Sequence, residues 1–180
     1  MTNLLKIKKL SKNIYWLLSF LLVIIPIYYV GYWLFINDLP KTLITVNTLP
    51  TPLVPNELSI KLQILGFVAS LFPLSALSYG LISVRKLFWY YKEGVIFTLE
   101  QVNIFKHIAK ALILWMVLSV LYESAKSVLF TIGNPPGHVL LTVGVSSAEL
   151  TTLIVGVVMF VIAWVMDEGR ALAEEQQLTV

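Results

Sequence analysis

The chain has no cysteine, two histidines and few charged residues. Without a thiol there is no disulfide, no thiolate nucleophile and no cysteine-ligated metal. Only 13% of the 180 residues are charged, about half the usual share for a soluble globular domain. A net charge of +3 is too small to indicate a nucleic-acid partner. There is no internal repeat, no low-complexity tract, no glycine-rich phosphate loop and no H-E-x-x-H. "GVSSA" fails to complete a G-x-S-x-G elbow because Ala148 stands where its last glycine belongs. His107 and His138 fall on opposite sides of the spans described below and are expected not to share a metal or a proton relay. These absences lead us to expect a protein with no catalytic centre and no cofactor.

What is present is apolar. Hydrophobic residues make up 58% of the chain, and mean hydropathy is +0.84. They are bunched into four segments near the ~20 residues that cross a bilayer as helix: 14–36, 62–84, 111–130 and 150–166. The expected fold is therefore an all-α membrane protein with four transmembrane helices in one domain, residues 1–180. "KIKK" before the first segment resembles a signal-peptide start. The apolar run is too long for an ordinary signal core and no A-x-A-like site follows, so it reads as a retained span.

Orientation follows from the cations. Lys6, Lys8, Lys9 and Lys12 precede span one, Arg85, Lys86, Lys92, Lys106 and Lys110 lie between spans two and three, and Arg170 follows span four. The other side has only Lys41, Lys61 and Lys126. This ten-to-three division predicts both termini in the cytoplasm. Aromatic residues suited to headgroup zones agree: Tyr15 and Trp16 at one end of span one, Tyr28, Tyr29, Tyr32 and Trp33 at the other, and "FWYY" at 88–91. The connection after span one contains Pro40, Pro50, Pro52 and Pro55 and reads as a membrane-hugging extended loop, with "LITV" as the nearest approach to a strand. "HVLLTVGV" in the connection before span four is apolar enough to touch the membrane surface or the helices.

The stretch "FTLEQV" holds a helix-start signal. Thr98 and Gln101 have capping-box spacing, and Phe97 and Val102 have that of a hydrophobic staple. A helix from Leu99 to about Phe130 would be about 48 Å long and exceed the ~30 Å hydrocarbon core. Its first turns, with Val102, Phe105, Ile108 and Ala109 at helical spacing, should form a cytoplasmic stalk. Ser146 with Glu149 offers a similar start for span four, whose helix could run on through "DEGRALAEEQQ". The acidic Asp167, Glu168, Glu174 and Glu175 would then face the basic connection.

Two stretches carry a family resemblance: "EGVIFTLEQVNIFKHIAKALI", and "DEGRALAEEQQLTV" after one further span. They resemble the DUF2975 family of bacterial membrane proteins, through Gly94, Phe97, Thr98 and Gln101, then Glu168, Gly169, Leu172, Glu175, Leu178, Thr179 and Val180. The resemblance covers the second half of the chain; the first half agrees in hydropathy. It implies a four-span bacterial inner-membrane protein of unknown activity, associated with a small helix-turn-helix regulator.

Glu123 and Lys126 are the sharpest feature inside a span. They lie about 20 and 24 Å beyond Lys110 by helix rise, three residues apart and so neighbours on the helix. Each intramembrane charge costs at least about 2.5 kcal/mol on insertion scales, which marks such residues as functional by default. The pair reads as self-neutralising, as a partner contact, or as the coupling carboxylate of a small homo-oligomeric transporter. Gly66 with Ser70 and Ala76 with Gly80 suit close helix packing within the chain or across a dimer seam, and Pro73 between them is expected to kink the span.

The charge division yields a topology prediction. Cysteines introduced in place of Asn3, Asn103 and Gln177 should react with an impermeant thiol reagent only from the cytoplasmic side. Labelling of any of the three from outside would overturn the orientation.

Overall fold

A computed structural model describes residues 2–44, 53, 55–95, 98–133 and 139–178. Its elements are α1 (Thr2–Leu34), α2 (Lys41–Ile44), α3 (Ile60–Glu93), α4 (Leu99–Thr131) and α5 (Ser147–Leu178). The fold is all-helical, and α1, α3, α4 and α5 are each long and apolar enough to cross a membrane. Every long helix exceeds its expected span. α1 begins at Thr2, so the four lysines before the first apolar run are helical too, and α5 carries on through the acidic tail to Leu178.

Consecutive long helices pack as an open row, α1 on α3, α3 on α4 and α4 on α5. Three glycines set these seams. At Gly66 an added Cβ would lie 2.1 Å from the Trp33 ring, so glycine lets that indole rest directly against α3. A Cβ at Gly80 would come 3.2 Å from that of Ala111, and one at Gly156 would come 3.1 Å from Ile113. Of the two small-residue pairs in α3, Gly66 therefore serves the seam with α1 and Gly80 the seam with α4. Helix α3 continues through Pro73, which is buried.

The α3–α4 corner is tightly specified. Gly94 takes a left-handed φ of 83°, its N–H donates to the Tyr91 carbonyl and the Val95 N–H to the Tyr90 carbonyl, the Schellman closure that favours glycine. Lys8 of α1 lies so close that a Cβ at Gly94 would stand 2.4 Å from its Cε. Thr98 then starts α4 with the expected capping box: the Gln101 N–H donates to Thr98 Oγ1, and the Thr98 N–H donates to Gln101 Oε1 at 3.1 Å. Phe97, the outer half of the expected staple, lies outside the described residues. Val102, Ile108 and Ala109 of the stalk stripe are buried, joined by Ile104. Ile104 and Ile108 pack with Leu87, Tyr90, Tyr91, Phe105 and Met159 in a core shared by α3, α4 and α5.

A second core closes the other end, from Trp33, Ile36, Ile44, Leu58, Leu129 and Phe130. The connection after α1 is more folded there than its prolines imply. Leu43 and Ile44 of "LITV" form part of the helical turn α2 with Ile44 buried, while Thr45 and Val46 lie outside the described residues. Asn37 closes this connection like a peptide group. Its Nδ2 donates to the Leu58 carbonyl at 3.0 Å, and its Oδ1 accepts the Leu58 N–H at 2.9 Å.

Gln101 supplies a sharp test. It is fully buried, and besides completing the box its Nε2 donates to the Val95 carbonyl at 2.7 Å. Glutamate is the commoner box partner and would gain roughly 0.3–1 kcal/mol at a helix N-terminus. It cannot donate to Val95, however, and would set a carboxylate against a carbonyl, at a cost of about 1–3 kcal/mol. Gln101→Glu should therefore destabilise the corner, read as faster hydrogen exchange at 99–102 than in the parent.

Candidate functional site

Helix register collects the polar side chains at two levels. At the lysine-rich end, Arg85 Nη2 of α3 donates to Tyr15 Oη of α1 at 2.7 Å, and Lys106 Nζ of α4 donates to Asp167 Oδ2 of α5 at 2.8 Å. The Gly80–Ala111 contact aligns Arg85 with Lys106, so one level crosses all four long helices. At the other end Trp33 Nε1 donates to Tyr122 Oη at 3.1 Å, beside Glu123 and Lys126. Eighteen residues separate Tyr15 from Trp33, and seventeen separate Lys106 from Glu123. Helix rise makes these about 27 and 26 Å, close to the ~30 Å of a hydrocarbon core.

Glu123 and Lys126 are paired, Nζ to Oε1 at 2.7 Å. The Lys126 side chain is 9% exposed and that of Glu123 41%, so the cation is the enclosed partner. Lys126 Nζ also stands 5.5 Å from the Tyr122 ring centroid and 6.0 Å from that of Phe130, within cation–π range. A buried lysine with a carboxylate and two ring faces is held by its own helix. The pair lies at the same level as Trp33 and Tyr122, about 26 Å from Lys106 by helix rise.

The segment before α5 uses hydroxyls that sequence reasoning missed. Residues 139–146 run beside the end of α4 without regular structure. The Leu140 N–H donates to Thr131 Oγ1 and the Thr142 N–H to Ser127 Oγ, both at 3.0 Å. Two residues of extended chain advance about 6.6 Å and four residues of helix about 6 Å, so alternate amides meet hydroxyls four apart. The 127/131 spacing beside an apolar stretch was the available signal. Helix α5 starts as expected: the Ser146 N–H donates to Glu149 Oε2 at 2.8 Å, and the Ala148 N–H to Ser146 Oγ.

Beyond the lysine-rich level the helices continue as a platform. Lys86 and Glu100 pair across α3 and α4, and Asp167 also meets Arg170. Outside the apolar spans, Lys86 holds the Glu100 carboxyl and Lys106 the Asp167 carboxyl below the usual carboxylate range. The Lys106–Asp167 bond realises the expected contact between basic connection and acidic tail. Glu168, Gly169, Leu172 and Glu175 are exposed there. The Glu174 side chain, Thr179 and Val180 lie outside the described residues, as does His138, while His107 packs 6.0 Å from the Tyr79 ring.

Four such helices with polar levels this far apart define a multi-pass membrane protein. The family model described as "Protein of unknown function (DUF2975)" matches residues 12–180, and the chain belongs to that family. The match takes in the first half as well, which by its residues agreed only in hydropathy. No curated protein and no solved structure matches.

If Glu123 serves to neutralise Lys126, Glu123→Gln should cost about 1–3 kcal/mol, since it strands a mostly buried cation. Adding Lys126→Met should recover most of that loss. Thermal unfolding in detergent checks both. A folded double variant no more stable than the single one would sink the pair as a structural device.

Proposed function

We propose that this is a non-enzymatic membrane protein, with both termini cytoplasmic in a bacterial inner membrane, whose platform binds a cytoplasmic protein. The family resemblance points to a helix-turn-helix regulator as that partner. The observation that carries the reading is the exposure of Glu168, Gly169, Leu172 and Glu175, the tail residues behind the resemblance. Glu168, Leu172 and Glu175 follow one another at spacings of four and three, so they form one stripe along α5. Gly169 costs its helix about 1 kcal/mol relative to alanine. A Cβ there would meet nothing within 4 Å, so no packing inside the chain calls for glycine. An exposed, acidic and apolar stripe with a glycine beside it suits close approach by another protein. Residues such as Gly94, Thr98 and Gln101, by contrast, are accounted for by the fold of the corner.

The ten-to-three charge division supports the orientation. Helix rise supports the projection: α5 extends about 16 Å past Asp167 and α4 about 10 Å past Lys106. A transporter built on Glu123 is the weaker reading, since its carboxylate is already bound to Lys126 and the helices form an open row around no central path.

A photo-crosslinking residue in place of Leu172 should give an adduct with a helix-turn-helix protein in the native host. The same residue in place of Leu141, across the membrane, should give none. Gly169→Leu should abolish the adduct while leaving expression intact. Adducts only between copies of this chain, or none, would overturn the proposal.

A further inference from the structure

The seams at the lysine-rich end differ in how their charges are neutralised. Between α3 and α4, Lys86 has Glu100; between α4 and α5, Lys106 and Arg170 have Asp167. Among the described residues no ion pair joins α1 to α3. Arg85 and Lys92 both approach one ring, Arg85 Cζ at 4.7 Å and Lys92 Nζ at 5.4 Å from the Tyr15 centroid. Lys8 lies against Gly94 on the same seam, and Lys12 shares the face of Lys8 and Tyr15 by helical spacing. The carboxylate at this seam is Glu93, half-exposed and 3.2 Å from Lys92. Among the described residues Arg85 meets no carboxylate, and its Nε is buried without a hydrogen-bond partner. Four cations and one carboxylate leave a net charge of about +3 where like charges repel.

The position of this excess matters. Tyr15 and Arg85 mark the level where the hydrocarbon thickness begins, and Trp16 and Trp89 are exposed beside them. Trp89 stands four residues after Arg85 and three before Lys92, so the three share one face of α3. Such a face offers cations to headgroups and indoles to the interface. Basic pockets between spanning helices suit anionic lipid headgroups, and a guanidinium matches phosphate oxygens in a two-pronged geometry.

We infer that the α1–α3 seam is a binding site for the phosphodiester headgroup of an anionic membrane lipid, held by Arg85, Lys92, Lys8 and Lys12 over Tyr15. The phosphate would supply the counter-charge that the other two seams draw from the chain itself. This rests on the chain spanning a membrane and is independent of any partner at the platform.

The test is lipid titration of detergent-purified full-length protein, followed by thermal shift and native mass spectrometry. Phosphatidylglycerol should bind and stabilise more strongly than phosphatidylcholine. Replacing both cations (R85Q with K92Q) should weaken phosphatidylglycerol binding roughly 30-fold, at about one kcal/mol for each charge near the surface. K86Q, whose lysine already has Glu100, should leave it unchanged. E93Q removes the competing carboxylate and should strengthen binding roughly fivefold on the same scale. It keeps the test decisive should the double variant fail to fold. Equal binding of the two lipids, undiminished binding by a folded double variant, or no gain in E93Q would overturn the inference. Displacement of the lipid by millimolar inorganic phosphate at constant ionic strength would assign the seam to a soluble anion and overturn the lipid assignment.

Discussion

The structure depends on one constraint: backbone N–H and C=O groups beside a hydrocarbon layer must be bonded within the protein, because water is scarce there. Long helices satisfy it internally, so the difficulty falls on the places where the chain reverses. At the α3–α4 corner one buried amide, Gln101, accepts from Thr98 and donates to Val95. At the opposite end, Asn37 exchanges two hydrogen bonds with Leu58 and closes the connection between α1 and α3. Before α5, Ser127 and Thr131 take the amides of an extended segment that has no neighbouring strand in its described part. Each reversal is thus stabilised by a side chain acting as a backbone surrogate. At 101 and 37 it must be an amide, because the site needs a donor and an acceptor together, which no carboxylate or hydroxyl presents in that geometry.

The same constraint explains which parts of the architecture are legible in the sequence. The spans come from composition, since a helix that must be apolar around much of its circumference announces itself as a run. The corner is legible because capping chemistry is local: Gly94, Thr98 and Gln101 act within eight residues of one another. The lengths of α4 and α5 follow from the same caps and from the absence of breakers in what comes after. Asn37–Leu58 is not legible, because nothing in sequence joins the two residues; at Ser127–Thr142 the 127/131 hydroxyl spacing is visible, but not the amides it takes. Likewise Gly66 reads as a small-residue packing position, but nothing in its neighbourhood names Trp33 as the ring it admits.

Candidate functional residues divide along the same line. Glu123 and Lys126 stand out in sequence because charge is costly in a span, and the structure makes the pair local, with the lysine enclosed by Tyr122 and Phe130. Arg85 and Lys92 look like ordinary boundary cations in sequence. Their crowding over a single tyrosine depends on the register of α1 against α3, which tertiary contacts such as Gly66–Trp33 and Gly94–Lys8 fix. Charges are easy to see in a sequence; what neutralises them is a tertiary fact.

That register ties the two ends together. The indole of Trp33 lies against α3 at Gly66 and reaches Tyr122 of α4, so a single side chain joins three helices at the end opposite the lysines. Sliding α1 along α3 by one turn would break this contact and also separate Tyr15 from Arg85 about 27 Å away. Packed helices shift between discrete arrangements rather than deforming continuously. The core around Trp33 and the cationic seam are therefore coupled through the packed pair α1–α3. A headgroup bound at the seam would favour the register that seats Trp33, and loosening at Gly66 would disperse the cations that hold the headgroup. The platform on α4 and α5 has a tie of its own in Lys106–Asp167.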